Sequence, residues 1–575
     1  MKKILISFTF VFVWITSNSQ WNPVLDQNLL VASPKSGDAF STTSSDGKTF
    51  IGYWKSVPTP VNFELWLQIL DKNGNKELGS EGIMLSNQIP MDTYTFVEDS
   101  TVDSSNNLYI GVTGTGVGHL GYIFKVTPQG ISVWPNGISI GEALSPTLLP
   151  LSNGDLLVSY WPESKKYSRI ERFNSSGQRV WNSPVVIKSD SEENSTIPAD
   201  LFELPNNEFE IIFSKVLPGS GSYTSSYLYA QKFDFNGVKR WESPKQISTK
   251  GAAWNVKHSG IADGNVVYYG FSGGTVGTSE INAYLQRINI DGTLPWGVNG
   301  VDFDISHDYK ERDMKIAFTP GSPYIWSIAN YNKFDPFTQQ DLNGEFIQKF
   351  DKVTGTRLFT NNAKQVFPVD ERQMFHQGNL HLVNEYPFFI VQKKLESTNL
   401  DVSLNAVLLK DDGDFFWTQK YLPMATFPAM KSNIISLKPI NGQSIILFQE
   451  KKISTDISDK LYAQNLIIPF EINDHFNKKN FLKLKESMGT KNSSNLPVFL
   501  SPNPAKEEFS VIHTNSSKKY LDKFNVEVYD LSGKLLLKEE GKEKNSVRSL
   551  SNGVYVVKIV TTDGITQTEK LIVEK

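Results

Sequence analysis

The side chains best suited to proton transfer or metal binding are few in these 575 residues: seven histidines and no cysteine. The histidines are His119, His258, His307, His376, His381, His475 and His513. Only His376 and His381, in HQGNLH, lie close together. A spacing of five puts them on opposite faces of a strand, so no shared metal is expected. Scattered acids, among them Asp200, Asp263, Asp308, Glu311 and Asp313, could serve carboxylate-pair hydrolysis if the fold gathers them at one mouth. The densest charged stretch, HDYKERDMK from His307 to Lys315, reads as a solvated loop between two strands and is the first place to look for a site. DKNGN at Asp71 to Asn75 has no acid at the twelfth position of a calcium loop and reads as a turn. GTGVGHLG at Gly114 to Gly121 follows a strand but lacks the Lys-Ser/Thr of a phosphate loop. No catalytic, cofactor-binding or metal-ligating residue is assigned, and no cofactor is expected.

The absence of cysteine excludes disulfides, thiolate metal sites, a cysteine nucleophile and lipid attachment at a lipobox. Lys plus Arg number 57 against 61 Asp plus Glu, a net charge of -4. That balance leaves no basic footprint for nucleic acid. The chain opens with Lys2 and Lys3, then ILISFTFVFVWIT, then Ser17 and Ser19. This predicts a secretory signal peptide over 1–19, cleaved before Gln20, with an apolar run too short to cross a bilayer. After cleavage no transmembrane segment is expected.

The elements that must position any site are strands. Aromatics reach 12%, and apolar alternation is broken throughout by Gly, Asn, Asp and Pro, which predicts an all-β fold. Self-comparison finds a repeated turn: QILDKNGNKEL, KVTPQGISVW, RFNSSGQRVW, KFDFNGVKRW, RINIDGTLPW, KFDKVTGTRLF and LLKDDGDFFW. Its glycines are Gly74, Gly130, Gly177, Gly237, Gly292, Gly355 and Gly413. Four residues later stand Leu78, Trp134, Trp181, Trp241, Trp296, Phe359 and Trp417. The offset fits a hairpin whose Asp or Asn caps the turn while glycine takes the positive φ that returns the strand. Glycine spacings of 56, 47, 60, 55, 63 and 58 residues mean a unit of about four short strands, too small to bury both faces alone.

A second marker, a strand often opened by Asn-Gly or Asp-Gly, occurs eight times: DGKTFIGYW, NNLYIGV, NGDLLVSYW, NNEFEIIF, DGNVVYYGF, SPYIWSIA, YPFFIVQ and NGQSIILF. The eighth unit ends in Leu461, Tyr462, Ala463 and Gln464, repeating Leu228 to Gln231, but lacks its turn and tryptophan. Trp21, Asn22, Pro23 and Val24 echo Trp181, Asn182, Ser183, Pro184 and Val185. The expected arrangement is a β-propeller over 20–470 whose last blade is completed by the N-terminus, which removes open sheet edges. Eight blades are predicted; seven is the alternative count, because one unit is short.

The D-x-x-x-G-x-x-x-W turn resembles the tryptophan-docking motif of eight-bladed quinoprotein-like propellers, with phenylalanine in place of tryptophan in DKVTGTRLF. The resemblance implies that Trp134, Trp181, Trp241, Trp296 and Trp417 pack against a neighbouring blade as structural residues. The vicinal cysteine pair of many quinone-dependent dehydrogenases is missing, and no acidic calcium cluster stands out. SSDGKTF is near the aspartate box of sialidase propellers, but its glycine follows Asp46 immediately, so the spacing fails.

Beyond a charged, Asn-rich and Ser-rich linker at 471–496, the strand pattern becomes cleaner: FSVIH, FNVEVYD, KLLLKEE, VYVVKIVT and QTEKLIVEK. About seven short strands over 497–575 fit a small Ig-like β-sandwich. This end resembles the type A C-terminal sorting domain of the type IX secretion system of Bacteroidetes-type bacteria. Pro502, Asn503 and Pro504 match the family's opening motif, Asp530 and Gly533 its D-x-x-G hairpin, Gly553 and Tyr555 its G-x-Y strand, and Lys570 to Lys575 its basic-hydrophobic end. The resemblance implies the type IX machinery as partner, removal of the domain during export, and a protein secreted or attached to the outer cell surface. No stronger motif accompanies it, so the sequence favours a non-enzymatic propeller that binds an extracellular polysaccharide or protein through loops of one face. An extracellular hydrolase or lyase on the same ring is the alternative.

Overall fold

The computed structural model describes residues 21–469 and 498–575, except 23, 34–37, 58–61, 94–97, 163, 192, 218–224, 255, 396–399, 453–458, 502–504, 514–523, 531–534, 543, 562–565 and 574. The signal peptide, the linker, Pro502, Asn503, Pro504 and Gly533 therefore lie outside the described residues. The chain divides into two compact units, Met1–Ile468 and Pro469–Lys575.

The repeated turn sets the architecture of the first unit. All seven glycines have φ between +72° and +83°, the left-handed conformation that glycine takes without a Cβ clash. Asp71 shows the cap: its carboxylate accepts the amides of Asn73 and Asn75 at 2.8 Å and the Asn75 side chain at 2.9 Å. Those bonds occupy the oxygens that a calcium ion would need, so DKNGN is a hairpin turn.

Among the described residues, the strands of this unit form eight antiparallel blades. Blades 1 to 7 cover 39–86, 98–142, 144–188, 195–246, 259–302, 310–370 and 375–429. Blade 8 joins three strands of 431–467 to the strand Leu29–Ala32. Blades 4 and 5 share one sheet through the short strand Gly251–Ala252. The first strand of each blade packs on the first strand of the next, and that of blade 8 on that of blade 1. The first strands thus ring the axis.

The hydrophobic cores lie between blades. Phe40, Trp54 and Leu67 of blade 1 share a core with Ile110 and Phe124 of blade 2, and comparable clusters fill the seams from blade 2 on to blade 7 and between blades 8 and 1. Being covered on both faces, the second strands read as buried runs: all six residues of Leu108–Thr113 are buried.

The turn glycine is where one blade receives the next. A Cβ on Gly74 would lie 2.8 Å from the Trp21 ring, on Gly130 2.6 Å from Leu78, on Gly355 3.0 Å from Trp296 and on Gly413 3.1 Å from Phe359. Four indole donors reach the carbonyl two residues before the glycine: Trp21 to Lys72 at 2.9 Å, and Trp181 to Phe235, Trp241 to Ile290 and Trp296 to Val353 at 3.0 Å. Trp134 sits on Gly177, and Trp417 is buried at 4% exposure. Trp21 thus makes for blade 8 the contact that Trp181, Trp241 and Trp296 make for their own blades.

Among its described residues the second unit has two sheets. Val498–Ser501, Glu508–His513 and Asn545–Ser546 form one; Leu535–Glu540, Phe524–Tyr529, Gly553–Thr561 and Thr566–Val573 form the other. Phe509, Val526, Val557 and Leu571 lie in their common core. The Tyr555 hydroxyl donates to the Ser551 carbonyl at 2.8 Å.

Candidate functional site

Because the first strands run in the same sense around the axis, their starting residues gather at one mouth of the channel. Five of them carry a β-bulge on the way in: between Leu144 and Thr147, Pro198 and Asp200, Arg312 and Lys315, Gln377 and His381, and Ser432 and Ile435. In four, the inserted segment holds a residue of positive φ: Ser145 at 50°, Asp313 at 53°, Gly378 at 79° and Asn433 at 47°. A bulge unpairs a residue and re-aims its side chain. Asn433 uses that freedom to donate to the Ala39 carbonyl at 2.9 Å, joining blades 8 and 1.

Asp313 uses it to reach blade 7. Its carboxylate lies 3.3 Å from His376 Nε2 and 2.6 Å from Lys315 Nζ. On its other side, His376 Nδ1 meets Glu345 at 2.9 Å, and its backbone amide donates to Glu345 at 2.8 Å. Both His376 and Glu345 are fully enclosed, whereas the Asp313 side chain is 50% exposed. Burial acts to lower the His376 pKa, but the Glu345 charge and the hydrogen bonds to Asp313 and Glu345 outweigh it and raise the pKa to about 10. Burial would raise Asp313, yet His376 and Lys315 hold it well below the carboxylate range. Glu345 is raised by burial, against the pull of His376.

The polar chain continues across the mouth. Lys315 Nζ lies 3.5 Å from the Lys257 carbonyl, and Lys257 Nζ pairs with Asp99 Oδ1 at 2.9 Å. Asp99 in turn accepts the Leu148 amide at 2.9 Å. Lys257 belongs to the connection between blades 4 and 5 and Asp99 to blade 2, so the pair spans non-adjacent blades. The Lys257 side chain is 75% accessible to water but ringed by protein, and the Asp99 charge raises its pKa. Beside it, burial and the Asp38 charge raise Glu98 to about 7. Burial also raises Asp200 to about 7, against a hydrogen bond donated by the Tyr269 hydroxyl at 2.8 Å.

Of the five scattered acids, Asp200 and Asp313 reach this mouth. Asp263 ends its strand at the other side, paired with Lys352 at 2.7 Å. Asp308 is exposed. Glu311 is buried between blades 5 and 6, where burial and the Asp304 charge raise it to about 9. The stretch read as a loop is largely a strand, Lys310–Ala317. Its charges are tolerated there because Glu311, Asp313 and Lys315 each find partners in an adjoining blade or across the bulge. His376 and His381 do face opposite ways: His376 meets blade 6, and burial lowers the His381 pKa to about 4 beside Ser436 of blade 8. Glu98, Asp99, Lys257 and Glu345 carry no sequence signal, because each blade contributes only one or two of the groups.

A polar cleft of about 420 Å³ lies on the opposite face, lined by Arg172, Asn206, Asn207, Asp234 and Arg240 among others. Its arginines are already paired, Arg172 with Asp155 at 2.5 Å and Arg240 with Asp234 at 3.1 Å. Among the described residues no cluster of three or more His, Asp or Glu is arranged to hold a metal.

Residues 500–574 match the family of secretion system C-terminal sorting domains. This end is such a domain, which marks the protein for export and for attachment to, or release from, the cell surface. No curated protein matches the chain. Solved structures similar to it include a polysaccharide lyase, an ulvan lyase, at 10% identity and TM-score 0.42, covering 77% of this chain and 94% of that one. An α-L-arabinanase of Penicillium chrysogenum is similar at 13% identity and TM-score 0.32, covering 56% and 93%. The β-propeller domain of the trilobed protease of Pyrococcus furiosus is similar at 9% identity and TM-score 0.36, covering 68% and 99%.

Proposed function

We propose that the exported propeller binds an extracellular polysaccharide at the channel mouth, with the leader removed after Ser19 and the domain at 497–575 removed by the type IX machinery on export. The observation that carries this reading is the polar chain from Asp99 through Lys257, Lys315 and Asp313 to His376. Within it Lys257 and Asp313 offer a donor and acceptors that are open to water yet held by their own partners, so little ordering is lost when a hydroxylated ligand docks.

The histidines favour binding over turnover. His376 is enclosed between two carboxylates and keeps its proton at neutral pH. His258, lowered to about 4 by burial and the Lys315 charge, and His381 are buried in neutral form. None of the three is poised near neutrality as a proton-transfer group would be.

A hydrolase or lyase is the second reading, supported by Glu98 and Asp200. Two carboxyls raised to about 7 stand beside Asp99, which is salt-bridged to Lys257, and have the protonation of a general acid. A glycan array and a polysaccharide-degradation assay on the purified full-length protein separate the two. A retained glycan without product is expected, and Asp313→Asn should weaken it. Product release without retention favours the second reading; a ligand found only among proteins overturns both.

A further inference from the structure

The polar cleft on the face opposite the mouth lies where blades 3 and 4 meet, and its floor is fixed by hydrogen bonds. The Phe235 carbonyl accepts Arg172 Nη1 at 2.6 Å and the Trp181 indole at 3.0 Å, while the Phe235 amide donates to the Asn207 carbonyl at 2.8 Å. The Asp234 carboxylate caps the amides of Asn236 and Val238 at 2.9 Å. Arg172 also donates Nε to Asp155 at 2.7 Å, and its guanidinium lies 5.4 Å from the centroid of the Phe235 ring. Its plane and its remaining N–H groups are therefore held in place.

Charge around the cleft is balanced. Asp155 answers Arg172, Asp234 and Glu208 answer Arg240, and Glu208 also meets Lys232 at 2.9 Å. With every cation matched, little field remains to draw an ion. What stays unspent is amide. Asn206, Asn207 and Asn236 line the cleft and are exposed, and among the described residues their side chains take no hydrogen-bond partner. An asparagine side chain presents a donor and an acceptor side by side, as do two neighbouring hydroxyls of a sugar ring.

We propose that this cleft, about 420 Å³ in volume, is a carbohydrate site distinct from the mouth. It takes an uncharged sugar unit, held by the amides of Asn206, Asn207 and Asn236 and by the remaining N–H groups of Arg172 and Arg240. The volume lies within the range of small-ligand pockets, and donors already fixed by their own partners lose little freedom on binding. A neutral polyhydroxylated ring satisfies both ends of each amide. A carboxylate would use the donors alone and would face Asp234.

The backbone supplies a clean test. Asn206 and Asn207 have φ of 66° and 57°, a conformation that glycine takes freely, so Asn206→Gly with Asn207→Gly keeps the turn and removes both amides. The full-length protein is titrated calorimetrically with xylotriose, mannotriose, laminaritriose and trigalacturonate. Binding of at least one neutral trisaccharide, and weaker binding of trigalacturonate, is expected. The double glycine variant should weaken the neutral sugar about tenfold or more, as loss of two hydrogen bonds does, at an unchanged melting temperature. Asn236→Ala removes an exposed side chain that braces nothing and should weaken it several-fold, whereas Asp313→Asn at the mouth should leave it as it was. Full affinity in the glycine and alanine variants, preference for trigalacturonate, or binding of none of the neutral sugars overturns the cleft site and leaves the mouth reading to its own assay. Loss in Asp313→Asn with none in the cleft variants overturns it too, and assigns the sugar to the mouth.

Discussion

The side-chain amide of Gln464 donates to the carbonyl of Asn22 at 3.1 Å, across 442 positions of sequence. In other blades the same bond is local: Gln68 to Gly79 at 2.8 Å, Gln286 to Gly297 at 2.9 Å and Gln348 to Thr360 at 2.8 Å. The acceptor each time is the residue after the docked Leu78, Trp296 or Phe359, and Asn22 follows Trp21. The N-terminal segment therefore replaces the missing turn of blade 8 atom for atom at this bond.

Deleting residues 20–30 should consequently lower the propeller's melting temperature sharply. Trp21→Ala alone should cost about 3–5 kcal/mol, the range for truncating a buried aromatic. Calorimetry of the purified protein checks both, and an unchanged midpoint for the deletion would remove the closure account.

Turn glycines separate backbone strain from docking. Gly154 has φ +89° and open space where a Cβ would stand, so Gly154→Ala should cost about 1–2 kcal/mol, the left-handed penalty alone. Gly237 has φ +79°, and its Cβ would meet Val185 Cγ2 at 2.6 Å. Gly237→Ala should add about 1–3 kcal/mol of overpacking. Denaturant midpoints of the two variants should differ in that order.

The His376 site predicts an alkaline weakening. Its folded pKa, about 10, stands above the ordinary 6.5, so its contribution is fully present below pH 6.5 and is lost as the pH rises toward 10. Asp313 is lowered, so its contribution is present above the ordinary value of 3.8 and is lost as the pH falls below it. His376→Asn should cost about 3–5 kcal/mol near pH 6, because Glu345 is left buried without its partner. The gap in melting temperature between parent and variant should narrow between pH 6.5 and 10.

Glycan binding should strengthen in mild acid. Glu98 and Asp200 are raised to about 7 and lose their charge as the pH falls through that value, while Lys257 keeps its own. Of the polysaccharides tested, any that carries negative charge and docks at this mouth should therefore bind more tightly at pH 6 than at pH 8. Glu98→Gln should flatten that slope when affinity is measured across the range; an unaltered slope would show that Glu98 does not face the ligand.

The repeat was legible because each copy needs the same local chemistry. Asp234, Gly237 and Trp241 recur as a cap, a left-handed turn and an anchor, and all three demands are met within one hairpin. The closing role of Trp21 was legible for the same reason, since it echoes Trp181. HDYKERDMK misled because charge in a linear window signals solvent, whereas Glu311 and Lys315 are sheltered by partners in other blades.

By itself the sequence determined the strands, the turns and the sorting domain, since those depend on neighbours a few residues apart, and it left the count of units at eight or seven until the sheets were seen. Only the tertiary structure decided the mouth. Asp99, Lys257, Asp313 and His376 come from segments far apart in the chain and meet because the first strands share one direction around the axis. A bulge at Asp313 turns its carboxylate out of the ladder, and that depends on where the neighbouring blade stands.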